Sequence, residues 1–358
     1  MPPYLAGRES AQRFLGALLR RLEQRVPIAG EVILYGPRGN GKTVLLGWLR
    51  RAAAARGAIE TVVLLPSEIR EVRQLAELLM RAAWWRRLVP GQLGAWGFSW
   101  TKQADGVSRS FVSGILTARA RKSPLLLVMD EAHTLETAVG RALLNAAQEV
   151  RQQLPLLLVL AGTPNIERHL GRMGASFWNR AEHLRIGRLA EGAAAEAFRR
   201  PFAREGIEVE EAALAEVVRL SHGYPYFLQL LGRAAWGVAF GPGGDGRVSV
   251  STLEAARPEF EQTKGHYYRH RYIELRDQRL LGVGRSVAAL FGDRETVSDE
   301  MLTQAIRSGL EDPSHEEAIR AERVLADLGF IWGTSPNPGW EPGIPSLMDY
   351  VVEFAPAP

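Results

Sequence analysis

The 358-residue chain contains no cysteine, which excludes disulfide bonds and thiolate chemistry. It also lacks long apolar runs. The longest, Leu125–Met129 and Leu154–Gly162, fall well short of the roughly 20 residues that span a bilayer. The first ten residues have no apolar core of the kind that a signal peptide needs. We therefore expect a cytoplasmic protein with no membrane partner.

Lysine is scarce, so nearly all of the positive charge is arginine, and that charge is unevenly distributed. Residues 277–358 contain six arginines, no lysine and fourteen acidic residues, a net charge of −8. Because the whole chain carries +4, the first 276 residues carry +12. Binding to a polyanion depends mainly on charge neutralisation, so DNA would contact the basic N-terminal part.

The first 190 residues alternate short apolar runs with longer helical periodicities. This alternation predicts an α/β fold with a parallel sheet covered on both faces. The predicted strands are Glu31–Tyr35, Thr61–Leu65, Pro124–Met129, Leu156–Leu160 and His183–Ile186. The predicted helices between and around them are Ser10–Gln24, Gly41–Arg56, Ile69–Leu88, Phe111–Ala120 and Ala138–Gln153. After about Leu189 the pattern is helical, until two strand-like segments at Phe330–Trp332 and Tyr350–Phe354.

A glycine-rich segment, Pro90–Ser110, interrupts this pattern and has no clear period, which predicts a loop or a β-hairpin insertion. Four tryptophans cluster around it: Trp84, Trp85, Trp96 and Trp100. We expect most of them to be packing residues; exposed ones would mark a partner surface.

Residues 36–43, GPRGNGKT, fit the phosphate-binding pattern G-x-x-x-x-G-K-[ST] between a predicted strand and a predicted helix. Glycines let backbone N–H groups point at phosphates, and the helix N-terminus adds partial positive charge. Lys42 is expected to reach the β- and γ-phosphates, and the Thr43 hydroxyl to bind Mg²⁺. The sequence thus predicts an ATP site formed by Gly36, Pro37, Arg38, Gly39, Asn40, Gly41, Lys42, Thr43 and Val44. The alternative is a chance glycine-rich turn.

Two carboxylates, Asp130 and Glu131, follow the apolar strand that ends at Met129. A strand buried on both faces can expose charge only at its carboxyl end, where open α/β sheets bind ligands. Asp130 is predicted to hold magnesium, and Glu131 to orient or deprotonate the attacking water. The alternative is that both acids cap the next helix. His133 either senses the γ-phosphate or is a surface or capping residue.

These motifs together resemble the additional-strand class of P-loop ATPases, and within it the AAA+ and STAND-like ATPases near the origin-recognition group. The resemblance covers most of the chain and implies ATP hydrolysis by a P-loop core with a helical lid. In that class a strand ending in a polar sensor separates the two strands that carry the phosphate loop and the acids. Residues 156–164 resemble this strand and imply Thr163 as the sensor; helix capping is the alternative.

Two further segments resemble nucleotide-contacting motifs of that group. Residues 3–9, PYLAGRE, resemble its N-terminal box, which implies that Tyr4, Leu5 and Arg8 lie near the adenine. Residues 221–229, SHGYPYFLQ, resemble its G-x-P motif, which implies that Pro225 approaches the nucleotide. Proline in the first turn of a helix is the ordinary alternative. The sequence lacks the sensor-2 arginine that some AAA+ proteins carry here, so no direct role of the lid in hydrolysis is implied.

Arg180 precedes the predicted fifth strand, where AAA+ proteins place an arginine finger that acts on the neighbouring subunit. The resemblance therefore implies a homo-oligomer in which Arg180 is catalytic. Such a finger raises the rate by roughly 10³–10⁵. Arg172, Arg185 and Arg188 are alternatives, and so is a solvated arginine without this role.

The C-terminal pattern predicts a winged helix: helices near Val287–Phe291, Asp299–Ser308 and Glu316–Leu328, then a wing with its tip in Thr334–Pro345. Winged helices often read DNA with the third helix, but here that helix is acidic and phosphates would repel it. We therefore expect it to contact a protein. Residues 264–271, KGHYYRHR, mix cations with aromatic rings and are a nucleic-acid candidate; a solvated cationic helix face is the alternative.

The predicted division is a P-loop core over residues 1–190, a helical lid over 191–245, a connecting helical segment over 246–283 and a winged-helix-like domain over 284–358. Three functions follow from it. The first is a switch ATPase that controls conformation and assembly with a partner. The others are a DNA-associated ATPase and a nucleotide-binding scaffold with little turnover.

Overall fold

The computed structural model describes residues 5–80, 105–173, 180–292, 294–333 and 339–354. Contacts divide them into two units. The first contains Ser10–Tyr35 and Lys42–Arg185. The second contains the N-terminal residues up to Glu9, the segment Gly36–Gly41 and the chain from Ile186 onward. The four-part division predicted from the sequence stays a prediction. Several features that the sequence pattern singles out lie outside the described residues: Tyr4, the four clustered tryptophans and residues 334–338 of the predicted wing tip.

The first unit contains a five-stranded parallel sheet. Its strands are β1 (Val32–Tyr35), β2 (Glu60–Leu64), β3 (Leu125–Met129), β4 (Leu156–Gly162) and β5 (Glu182–Arg185). The strand order is β2-β3-β4-β1-β5, which confirms the expectation that β4 separates β1 from β3. Every residue of β3 and β4 is buried, as their apolar sequences predict. Because all five strands are parallel, their carboxyl ends lie at one edge of the sheet.

Six α-helices of the described residues accompany this sheet: α1 (Glu9–Glu23), α2 (Lys42–Ala54), α3 (Val72–Met80), α4 (Asp105–Lys122), α5 (Thr137–Arg151) and α6 (Ile166–Arg172). Helix α4 includes Asp105–Ser110, for which the predicted loop or hairpin is wrong. Glycine in this segment suggested a break in structure. A single glycine costs a helix only about 1 kcal/mol relative to alanine, which the rest of an 18-residue helix can offset.

The second unit is mainly helical, as the sequence pattern predicts. Its helices are α7 (Glu191–Arg204), α8 (Glu211–Ser221), α9 (Pro225–Ala239), α10 (Val250–Asp277), α11 (Leu281–Phe291), α12 (Asp299–Ser308), α13 (His315–Leu328) and α14 (Pro345–Phe354). Strands β6 (Ile331–Gly333) and β7 (Trp340–Pro342) form an antiparallel hairpin. Val297, between α11 and α12, pairs with Trp340 through an isolated antiparallel bridge.

The strand predicted at Tyr350–Phe354 is wrong, because these residues end helix α14. Leu347, Met348 and Val351 are buried, which is the spacing of a helix face rather than the alternation of a strand. A short apolar run does not distinguish the two structures by periodicity alone. Among the described residues, no helix is both long enough and apolar enough to cross a membrane.

Candidate functional site

The backbone of the glycine-rich loop adopts conformations that favour glycine. Gly39 and Gly41 both have φ of +88°, a region that side chains with a Cβ rarely occupy. Asn40 between them is 1% exposed, and neither polar atom of its amide has a hydrogen-bond partner among the described residues. Arg38 is exposed, while Pro37 is buried. The loop thus combines left-handed glycines with a buried, unsatisfied polar group, which fits a polar ligand rather than a chance turn.

Helix α2 begins directly after this loop, at Lys42. The Lys42 side chain is almost completely buried, whereas Thr43 is exposed and Val44 is half-buried. Lysine is almost never fully buried unless it is paired. Its position at the helix N-terminus fits the phosphate-contacting role that the sequence predicts.

Thr43 and Asp130 lie together, as the sequence predicts for two magnesium-binding residues. The Thr43 hydroxyl donates a 2.5 Å hydrogen bond to Asp130 Oδ2. The second carboxylate oxygen, Oδ1, accepts a 2.9 Å hydrogen bond from the Glu131 N–H. Hydroxyl and carboxylate oxygens are the ligands that Mg²⁺ prefers, usually with waters completing its shell. The residues present therefore fit a magnesium ion.

Glu131 has a left-handed backbone, with φ of 51°, which is uncommon for a residue other than glycine. It precedes a short 3₁₀ helix, Ala132–Thr134, but its side chain makes no capping hydrogen bond there. The Glu131 carboxylate lies instead near His133, with 3.3 Å between Oε2 and Nε2. The capping alternative is therefore not what the structure shows for Glu131.

His133 links Glu131 to the end of strand β4. Its Nδ1 accepts a 3.4 Å hydrogen bond from the backbone N–H of Thr163, which places the proton of a neutral imidazole on Nε2. That nitrogen faces the Glu131 carboxylate. The sequence left His133 between two interpretations, and the structure gives it a defined place between the predicted base and the predicted sensor.

Thr163 follows strand β4 and is 2% exposed. The N-cap of the next helix, α6, is Asn165 rather than Thr163. In the register of the sheet, Met129 of β3 pairs with Leu160 of β4, so Thr163 and Asp130 follow neighbouring strands at the same edge. This placement matches the sensor position that the family resemblance implies.

Arg8 contacts the phosphate loop within the second unit. Its Nη2 donates hydrogen bonds to the carbonyl oxygens of Asn40, at 3.1 Å, and Gly187, at 2.5 Å. Burial lowers the pKa of the Arg8 guanidinium to about 10, against the opposing effect of Glu9. Leu5 is also buried. The structure thus shows Arg8 bracing the loop backbone, while contact of Arg8 or Leu5 with a base stays a prediction.

The backbone of the predicted G-x-P motif contacts the segment that precedes α7. Gly223 has φ of +68° and its carbonyl accepts a 2.8 Å hydrogen bond from Leu189 N–H. Tyr224 is the N-cap of α9 and Pro225 is its first residue, the position where proline is ordinary in helices. Contact of Pro225 with a nucleotide stays a prediction. Tyr224, which the sequence did not single out, lies against Gly39 of the loop.

Arg180 lies at the other edge of the sheet. Strand β5 starts at Glu182, which pairs with Val32 at the start of β1, so Arg180 is at the amino-terminal edge. Asp130 follows the carboxyl end of β3. The structure therefore does not bring Arg180 to the acidic residues of its own chain, and action on another subunit stays a prediction. Among its rivals, Arg185 ends β5 beside Tyr35, at the edge where the acids lie.

The basic aromatic stretch of residues 264–271 is only in part the exposed cationic face that the sequence suggests: His266, Arg269 and His270 are exposed, but two of its cations are not. Lys264 and Arg271 are buried, at 8% and 7% exposure. The Lys264 ammonium lies 5.2 Å from the ring centre of Phe260, and the Arg271 guanidinium 5.3 Å from that of Tyr267. These cations pack on aromatic rings of their own unit, which cation–π attraction favours. They are not available to a nucleic acid.

Sequence comparison matches residues 4–159 to the family model of the AAA ATPase domain. A comparison with curated proteins found no match. The matched range includes the phosphate loop, the two acids that follow β3 and strand β4 up to Val159.

Comparison with solved structures finds the same fold over nearly the whole chain. A Walker-type ATPase of Pyrococcus abyssi has a TM-score of 0.62 at 14% identity, covering 98% of this chain and 99% of the other. The Aeropyrum pernix ORC2 protein, solved as ADPNP–ADP complexes, has a TM-score of 0.59 at 14% identity, covering 99% and 95%. The Aeropyrum pernix ORC1 protein, solved in complex with DNA, has a TM-score of 0.51 at 17% identity, covering 99% and 94%.

At these identities the structural likeness establishes the fold alone, which is that of a P-loop ATPase with a helical C-terminal part. The parallel sheet, its strand order and the placement of the phosphate loop after β1 agree with it. The family match identifies an AAA ATPase domain at residues 4–159.

Proposed function

We propose that this protein binds Mg-ATP at residues 36–43 with Asp130, hydrolyses it with Glu131, and uses the nucleotide state to control assembly with a partner. The observation that carries the proposal is the 2.5 Å contact between the Thr43 hydroxyl and Asp130 Oδ2. It joins the helix that starts at the phosphate loop to the acids after β3.

Each residue has a role that follows from its chemistry. The backbone N–H groups of residues 36–41 and the Lys42 ammonium bind the phosphates. Thr43 and Asp130 hold Mg²⁺, which neutralises charge on the phosphate oxygens when it is bound. Glu131 orients the attacking water and accepts its proton.

Two neighbouring residues complete this arrangement. The Nε2–H of His133 holds the Glu131 carboxylate, because its Nδ1 is occupied by the Thr163 N–H. The Thr163 side chain senses the γ-phosphate from the end of β4.

The exposed Arg180 acts as a finger in the site of a neighbouring subunit of a homo-oligomer.

The proposed output is a protein contact made by a winged-helix-like C-terminal part. The order α11, Val297, α12, α13 and the β6–β7 hairpin supports a winged helix, since Val297 pairs with the second strand of the hairpin. Helix α13 is acidic: Glu316 and Asp327 are exposed on it, and the Arg320 Nε is paired with Glu317 at 2.8 Å. This surface favours a protein partner over phosphates.

A DNA-associated ATPase is the second candidate. The net charge of +12 on the first 276 residues favours it, as does the shared fold with an ORC1 protein solved in complex with DNA. The burial of Lys264 and Arg271 leaves Arg269 as the exposed arginine of the expected DNA-contacting stretch. A scaffold with little turnover is the third candidate and is distinguished by kinetics alone.

The test is steady-state ATP hydrolysis by the wild type and by Glu131→Gln, each with and without duplex DNA at two salt concentrations. We expect Glu131→Gln to lose turnover by about 10²-fold or more while still binding ATP. Glu136→Gln, an exposed neighbour, is the matched control and should leave turnover unchanged. DNA stimulation that declines steeply with salt would favour the second candidate. A wild type without turnover at any protein concentration would favour the scaffold.

Molecular mass in solution tests the control of assembly. We expect the mass with a slowly hydrolysed ATP analogue to exceed the mass with ADP, because nucleotide state selects the assembled form. Equal masses in both states, with and without DNA, would count against a homo-oligomeric switch.

A further inference from the structure

The C-terminal hairpin packs directly on the first glycine of the phosphate loop. Trp332 in strand β6 is 3% exposed. A methyl group placed on Gly36 would lie 2.7 Å from Trp332 Cη2 and 3.2 Å from its Cζ3, so the rim of the indole is in contact with the glycine. Nearby, a methyl group placed on Gly329 would lie 3.3 Å from Pro37 Cβ. Two residues at the start of the loop are therefore covered by residues 329–332.

A second aromatic residue covers the middle of the loop. A methyl group placed on Gly39 would lie 2.7 Å from the Tyr224 hydroxyl and 3.0 Å from its ring. Tyr224 is 1% exposed, and its hydroxyl lies 3.2 Å from that of Tyr267 on helix α10. Burial raises the pKa of Tyr224 well above its ordinary value, so the hydroxyl keeps its proton at neutral pH. The contact is thus one between a neutral phenol and the loop.

These two side chains, together with the Arg8 hydrogen bond to the Asn40 carbonyl, restrict a glycine-rich segment. Gly39 and Gly41 adopt left-handed conformations at no steric cost, but glycine loses more conformational entropy than any other residue when it is ordered. A loop that is already held in place loses less entropy when a ligand binds it, and affinity rises accordingly. Trp332 holds Gly36, and Tyr224 holds Gly39, from two separate segments of the second unit.

We propose that Trp332 and Tyr224 are positioning residues that hold the phosphate loop in its ATP-binding conformation. Nucleotide affinity then depends on the C-terminal hairpin and on the start of α9, neither of which belongs to the phosphate-binding motif. This inference rests on the proposed nucleotide site. Because coupling between two equilibria is reciprocal, nucleotide binding must in turn stabilise the hairpin in contact with Gly36.

The experiment compares Tyr224→Phe and Trp332→Phe with two matched controls. Tyr268→Phe removes the hydroxyl hydrogen bond to Ser346 from a different buried tyrosine, which lies on α10. Trp340→Phe removes an indole that donates to Asp299, from the neighbouring strand of the same hairpin. Binding of ADP and of a slowly hydrolysed ATP analogue is measured by calorimetry, with thermal unfolding of the ligand-free proteins as the record of general destabilisation.

We expect Tyr224→Phe and Trp332→Phe to raise the Kd of both nucleotides about three- to tenfold, the effect of losing roughly one packing or hydrogen-bond contact. Tyr224→Ala and Trp332→Ala should raise the Kd of both nucleotides further. The controls should keep the wild-type Kd within twofold, even where their melting temperature falls as much as that of the Tyr224 and Trp332 variants. Trp332 or Tyr224 variants that bind like the controls would overturn the proposal.

Amide hydrogen exchange of residues 36–41 in the ligand-free proteins gives a second readout that does not need binding. Exchange should accelerate in Trp332→Ala and Tyr224→Ala but not in Tyr268→Phe or Trp340→Phe. Unchanged exchange in all variants contradicts the positioning role. If the wild type binds no nucleotide, the proposed function fails by itself, and loop exchange still decides whether these two residues hold the loop.

Discussion

The hydroxyl of Thr43 lies 2.5 Å from Asp130 Oδ2, although 87 residues separate them in the chain. Thr43 is in the first turn of α2, which follows β1, and Asp130 follows β3. Strand β4 lies between β1 and β3, so this contact crosses one intervening strand at the carboxyl edge of the sheet. Two oxygen ligands that converge in this way favour a hard cation.

Replacing Asp130 with asparagine should remove most of the benefit of magnesium for ATP binding. The amide keeps the shape of the side chain but has no negative charge for the cation. We expect the affinity gained on adding Mg²⁺ to fall about tenfold, and the affinity in EDTA to stay at the wild-type value. Calorimetric titrations of ATP with and without Mg²⁺ provide the measurement.

Substitutions of Thr43 serve as controls for this interpretation. Thr43→Ser keeps the hydroxyl and should retain the magnesium dependence, whereas Thr43→Val has the same shape without the oxygen and should lose it. If Thr43→Val responds to Mg²⁺ as the wild type does, the hydroxyl is not a magnesium ligand.

Replacing His133 with alanine should slow hydrolysis without weakening ATP binding. The Nε2–H of His133 holds Glu131, and a hydrogen bond to a charged group contributes about 1.5–3 kcal/mol, so turnover should fall by about tenfold or more. His169→Ala removes an imidazole contact to the carbonyl of Leu135, the C-cap of the 3₁₀ helix that contains His133, and is the control for a general loosening of this segment. A larger ATP Kd with unchanged kcat would contradict the assigned role.

Mixed oligomers test whether Arg180 acts on a neighbouring subunit. Arg180→Ala and Glu131→Gln subunits are each expected to be inactive alone. In a mixture, an Arg180→Ala subunit retains Glu131 and can receive a finger from a Glu131→Gln neighbour, so activity should partly return. Hydrolysis is measured as a function of mixing ratio.

The hydrolysis rate of Arg180→Ala oligomers alone can exclude this role for Arg180. Hydrolysis by Arg180→Ala oligomers at the wild-type rate would exclude Arg180 as the finger. Arg185, which ends β5 at the edge where the acids lie, would then be the next candidate. Arg185→Ala, prepared in parallel, is the matching variant.

The burial of the Glu31 carboxyl predicts that the stability of the protein depends on pH. The carboxyl is fully buried at the start of β1, and Arg151 Nε lies 2.8 Å from its Oε1. Burial raises the pKa of Glu31 above its ordinary value, against the opposing effect of Arg151. A carboxyl whose pKa is higher in the folded state binds more protons there than in the unfolded chain. Its contribution to stability is therefore complete below the unfolded pKa and is lost as the pH rises through the folded pKa.

Glu31→Gln should remove this loss, since the amide does not titrate. The free energy of unfolding of the variant minus that of the wild type should increase as the pH rises from about 4 to about 7. Urea denaturation across this range provides the values. A difference that stays constant or decreases with pH would show that Arg151 outweighs the burial of Glu31.

The strands and the phosphate-binding motif were predictable because they depend on local patterns, whereas the order of β1, β4 and β3 followed from the family resemblance. Apolar runs without alternation specify strands buried on both faces, and the acids after Met129 must then emerge at the carboxyl edge. The spacing of Gly36, Lys42 and Thr43 indicates phosphate binding by itself. The place of Thr163 after β4 followed from the family resemblance.

The contacts made by Trp332 and Tyr224 were not predictable from these patterns. Trp332 lies nearly 300 residues after Gly36, and nothing in a single sequence indicates which distant side chain covers a glycine. The same limit applied to Lys264 and Arg271, whose charge suggested a solvated surface while their neighbours Tyr267 and Tyr268 form the rings on which they pack. Tertiary packing decided both cases.

Uptake of labelled ATP by Lys42→Ala decides whether residues 36–43 and the two acids bind one Mg-nucleotide. If they do, the wild type binds Mg-ATP saturably and Lys42→Ala loses about 10²-fold or more in affinity, because the ammonium meets two phosphates. Equal uptake by the two proteins, or no uptake by the wild type, would show that this loop is not a nucleotide site.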